Sequence, residues 1–92
     1  MNLGQALAKL NEEALNLMVK KMTKATANAI TDQVLNDPTT TTLSVFIDSE
    51  LIGGFDMEDV VYSLVARLED KYGIFTDEVF ETQLGSSLEL SW

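Results

Sequence analysis

Residues 36–61, NDPTTTTLSVFIDSELIGGFDMEDVV, hold the change of period that decides the fold. Pro38 has no backbone N–H to give and disfavours the α conformation at Asp37, so a helix arriving from the N-terminal side ends here. Beyond the threonines, apolar residues recur at every second position, Leu43, Val45 and Ile47, in a β-branched context that reads as a strand. Asp48 and Ser49 are suited to a turn, so Glu50, Leu51 and Ile52 are expected to return as a second strand. The result would be a hairpin over 43–55 closed by Gly53 and Gly54. Asp56 then precedes a 3.6-residue apolar pattern and is expected to cap a helix over 56–72. Glu58 and Asp59 would lie in its first turn and Gly73 would be its left-handed C-cap.

Upstream, Leu3, Leu7, Leu10, Ala14, Leu17, Met18, Met22, Ala25 and Ala29 recur at three- and four-residue steps and read as one buried helical stripe. A helix over 3–35 would be roughly 50 Å long, more than the width of so small a domain. It must therefore bend, break or pack against a second chain, and Asn11, followed by Glu12 and Glu13, offers a place to break. Downstream, residues 76–85, TDEVFETQLG, read either as a short helix capped by Thr76 and stopped by Gly85 or as a strand with Phe80, Thr82 and Leu84 on one face. The helix is the preferred reading. Leu88 to Trp92 alternate as a terminal strand, with Trp92 expected to tuck in. The expected class is α+β in a single domain, 1–92. Its elements are a long N-terminal helix (1–35), whole or broken, a β-hairpin, an amphipathic helix, a short C-terminal helix or strand, and a terminal strand.

Ninety-two residues with 46% hydrophobic content are enough for a real core. No apolar run is long enough to span a bilayer and the start lacks a secretory leader, so the expectation is a soluble cytoplasmic protein, in host cytoplasm if viral. Charge is unevenly spread. Residues 1–31 carry four lysines against Glu12 and Glu13, a net of +2, whereas residues 32–92 carry thirteen carboxylates against Arg67 and Lys71, a net of −11. Such a surface repels nucleic acid and attracts cationic protein. With no histidine and no cysteine, the usual neutral-pH base, the thiolate nucleophile and the soft metal ligands are all missing. The chain reads as a non-enzyme with no cofactor.

Two patterns inside residues 43–61 invite a sharper reading. Asp48, Glu50, Gly53, Asp56 and Asp59 match positions 1, 3, 6, 9 and 12 of a calcium loop. Ile52 at position 5 offers no side-chain oxygen, and Asp59 is not the bidentate Glu, so no metal site is expected. The stretch LSVFIDSELIGGFDMEDVV resembles the closing strand, hairpin and helix entry of glutaredoxins, in which a similar apolar-Asp-turn-Gly-Gly-Asp sequence helps build the glutathione site. Without redox cysteines or a proline before the strand, and with a helical first third, the resemblance implies a shared ββα arrangement and no redox activity.

Two functions follow as expectations. The first is an acidic protein-binding module, of the phage-type inhibitor kind, that mimics DNA and blocks a basic, nucleic-acid-binding protein. Its surface would comprise Asp48, Glu50, Asp56, Glu58, Asp59, Glu69, Asp70, Asp77 and Glu78. The alternative is a structural or adaptor subunit that forms a homo-oligomer through Leu7, Leu10, Leu17 and Met18. Neither reading involves membrane or direct nucleic-acid binding.

Overall fold

A computed structural model describes residues 2–92. The first helix, α1 (Leu3–Asn36), is one continuous rod with no break at Asn11. Its start is fixed nine residues, about two and a half turns, before that asparagine. The Asn2 side chain accepts from the Gln5 N–H at 2.8 Å and the Gln5 side chain accepts from the Asn2 N–H at 3.0 Å, a reciprocal capping box. The threonines that lower helix propensity are accommodated because Thr23, Thr26 and Thr31 return their hydroxyls to the carbonyls four residues earlier. The rod ends where Asp37 turns extended ahead of Pro38. There the Asp37 carboxylate accepts from the Thr39 hydroxyl at 2.7 Å and the Thr39 N–H at 3.1 Å, and these bonds hold its pKa below the usual value.

Strand β1 (Thr42–Asp48) forms as the alternation requires, but no hairpin follows it. The Asp48 carboxylate accepts from the Glu50 N–H at 2.9 Å and starts a single 3-10 turn, Ser49–Ile52, which buries Ile52 and turns Leu51 outward. This local side-chain bond gives the backbone an alternative to a returning strand. The ββα arrangement implied by the glutaredoxin resemblance is therefore absent here. Helix α2 (Met57–Tyr72) follows, capped by Asp56 on the Glu58 N–H and closed by Gly73 in the left-handed region.

The segment read preferentially as a helix is instead strand β2 (Phe75–Thr82), turning at 83–84 into β3 (Gly85–Ser91). A bulge at Asp77, between Thr76 and Glu78, breaks the two-residue alternation and masks the strand in the sequence. Both pairings are antiparallel, in the order β1-β3-β2. Gly85 sits at φ 155°, where a Cβ would lie 2.0 Å from the Ile47 carbonyl oxygen and 2.9 Å from the Phe46 ring. Trp92 ends the β1–β3 ladder, donating its N–H to the Thr41 carbonyl, and its side chain stays partly exposed.

The two helices cover one face of the sheet. Val19 and Ile30 of α1 and Val60, Val61, Leu64 and Leu68 of α2 pack with Ile47, Ile52, Ile74, Leu88 and Leu90 to make the core. The other sheet face is bare and presents Phe46, Phe75 and Phe80 half-exposed.

Candidate functional site

No single stripe of α1 is buried from end to end. The residues that meet the body are Leu15, Met18, Val19, Met22, Thr23, Thr26, Ile30 and Val34. At about 100° per residue, Leu3, Leu7, Leu10, Ala14 and Leu17 lie roughly 140° around the helix from that line. They face solvent: Leu3, Leu7, Leu10 and Leu17 remain 73, 50, 59 and 55% exposed. Met18, grouped with them by its spacing, is half-buried and packs against the chain's own core. From Leu3 to Ala14 every residue except Ala6 is exposed. α1 accordingly sets the long axis of a body measuring 53 × 28 × 18 Å, and its first turns project as an arm.

The nine carboxylates proposed as one acidic surface are divided among several tasks. Asp48 and Asp56 are committed to capping the 3-10 turn and α2. Asp77 accepts from the Ser91 hydroxyl at 3.1 Å. Glu58 and Asp59 lie at the start of α2 and Glu69 and Asp70 near its end, with the exposed Tyr62 between the pairs. Glu78 stands directly opposite Glu89 on the bare sheet face, and Glu50 lies in the 3-10 turn. These groups are spread over the 3-10 turn, α2 and β2.

Folding also regroups the cations. Lys20 and Lys24 of α1 meet Arg67 and Lys71 of α2 around a cleft of about 50 Å³ that Thr23 and Tyr72 complete. Lys71 Nζ lies 5.6 Å from the Tyr72 ring centroid. The two basic residues that sequence order assigned to the acidic part thus join the basic part in space. Linear charge counting could not show this, because the pairing of α1 with α2 is a tertiary fact.

A second hollow, of about 210 Å³, lies at the start of α2 between Asp56, Glu58, Glu81, Thr82 and Ser86. The Ser86 hydroxyl is buried there without a hydrogen-bond partner. The helix N-terminus disfavours a cation and the carboxylates disfavour an anion, so the hollow suits neither. Among the described residues no group of three or more potential ligands is arranged to hold a metal ion, and no helix is long and apolar enough to cross a membrane.

Comparison of the chain with protein-family models, with curated proteins and with solved structures gives no match.

Proposed function

We propose that the chain is a structural assembly subunit that joins a second copy of itself through the projecting arm of α1. The observation that carries this reading is the solvent-facing line Leu3, Leu7, Leu10, Ala14 and Leu17. Its steps of four and three residues are those of a coiled-coil seam, so the line matches a copy of itself. Short isolated helices are marginal in water, and an arm with little tertiary packing gains most from a partner helix. The arm itself, residues 3–17, carries only Lys9 against Glu12 and Glu13, a net of −1 in a chain of −9, so two arms approach each other with less repulsion than two bodies would.

Scattered carboxylates favour this reading over DNA mimicry. The two acidic pairs on α2 lie about 16 Å apart and the one charge between them is the cation Arg67, whereas DNA carries about one negative charge per 1.7 Å of axis. Sedimentation equilibrium of the wild type and of Leu10→Asp tests the proposal. The wild type should be dimeric or larger at micromolar concentration, and the variant should shift towards monomer with its helix content retained. Identical masses would refute the arm as the contact.

A further inference from the structure

The two edges of the sheet differ in kind. The β2 edge is guarded by the bulge at Asp77 and by Asp77, Glu78 and Glu81. Proteins use such devices to keep other strands away. The β1 edge has none of them: from Thr42 to Ile47 it runs straight, without charge, proline or bulge.

The hydrogen-bond phase shows what this edge offers. The Ser49 N–H donates to the Leu84 carbonyl and the Trp92 N–H to the Thr41 carbonyl, each continuing the β1–β3 register. In an antiparallel ladder the bonded residues alternate, so Leu43, Val45 and Ile47 turn their backbone groups towards β3. Thr42, Ser44 and Phe46 therefore turn their N–H and C=O groups away from the sheet. All three are exposed, and no turn, cap or side-chain hydrogen bond among the described residues occupies these groups.

Beside this edge, on the helix side, lies an apolar groove of about 270 Å³ whose lining includes Met22, Ala25 and Ala29 of α1, Leu51 and Leu64. The two alanines leave room for side chains arriving from an added strand. On the opposite face the row running inward from Ser44 is Glu89 and then Glu78, with the Ser44 hydroxyl donating to Glu89. No Lys or Arg occurs in any of the three strands.

We infer that β1 accepts an extended segment of a basic partner protein as a fourth strand, with apolar side chains in the groove alternating with Lys or Arg over the Glu89 and Glu78 face. Backbone pairing at Thr42, Ser44 and Phe46 supplies the attachment, and the two faces supply the selection. A second copy of β1 lacks the cations this face selects. The inference does not rest on the leucine arm, which is a different surface.

The probe is a blocked seven-residue peptide alternating Lys and Val, compared with the same peptide carrying Glu for Lys, on the Leu10→Asp background. The Lys peptide should bind at least tenfold more tightly than the Glu peptide and should slow amide exchange at Thr42, Ser44 and Phe46. Ser44→Pro removes an outward N–H together with the hydroxyl bonded to Glu89 and should weaken binding at least tenfold, whereas Ser44→Ala removes the hydroxyl alone, keeps that N–H and should bind within about threefold of the parent. Ala29→Phe, which fills the groove without touching the edge, should also weaken binding and covers the case in which the proline variant fails to fold. Three outcomes would overturn the inference. They are no binding of the Lys peptide, binding that leaves those three amides unprotected, and concentration-dependent protection of the same amides without peptide, which would assign the edge to a second copy.

Discussion

At Gly85 the backbone takes a conformation that only glycine adopts without strain, and a methyl group would meet the Ile47 carbonyl oxygen of the neighbouring strand. Gly85→Ala should therefore cost about 3 kcal/mol or more, read as a fall in the urea midpoint. An unchanged midpoint would mean that β1 and β3 separate easily. The sequence offered Gly85 as a helix stop, because a glycine ends a helix or opens a strand equally well until its strand partner is known. At the end of α1, the Asp37 carboxyl is held below its unfolded pKa by its bonds from Thr39. What this contributes to stability is present above the unfolded pKa and is lost as the pH falls through the folded one. The Thr39 amide shift should titrate below the ordinary carboxylate range, and Asp37→Asn should abolish that titration. The caps at Asp56 and Gly73 were legible because each uses a local bond or a local φ that its own residue type dictates.

At the scale of elements, α2 was readable because one apolar face and two caps agree. β2 was not, because the bulge at Asp77 shifts the alternation by one residue. The expected hairpin failed for a different reason: β1 satisfies its ladder with β3, some forty residues further on, and short-range turn signals carry no information about that partner. The like-charged pair Glu78 and Glu89, directly opposed across β2 and β3, should be a local liability. Glu78→Thr should stabilise the fold by roughly 0.5 kcal/mol in chemical denaturation. A loss of stability would show that the pair is relieved by some other contact. α1 combines two regimes in one helix. Under conditions where the chain is monomeric, amides in its first three turns should exchange much faster than those from Val19 to Ile30, which the core holds. Uniform protection along the whole helix would contradict the division into arm and body.

For the whole molecule, the length of α1 was legible, and the expected break at Asn11 does not occur. What was not legible is which apolar line faces inward. The leucines give the strongest periodicity, yet the core selects Val19, Thr23, Thr26 and Ile30, two of them threonines whose hydroxyls are satisfied within the helix. The charge division along the sequence is likewise redrawn in space, where Arg67 and Lys71 join Lys20 and Lys24. If assembly is carried by the arm, it should survive high salt, because apolar contact is not screened. It should also survive neutralising Glu58, Asp59, Glu69 and Asp70. The most direct test is sedimentation of the wild type and of Leu10→Asp across a micromolar concentration series, at low and high salt. The account predicts a salt-tolerant oligomer for the wild type and an association at least a hundredfold weaker for the variant, about 2.8 kcal/mol. A wild type that stays monomeric at high micromolar concentration, or an oligomer that dissolves in salt but ignores Leu10→Asp, would contradict it.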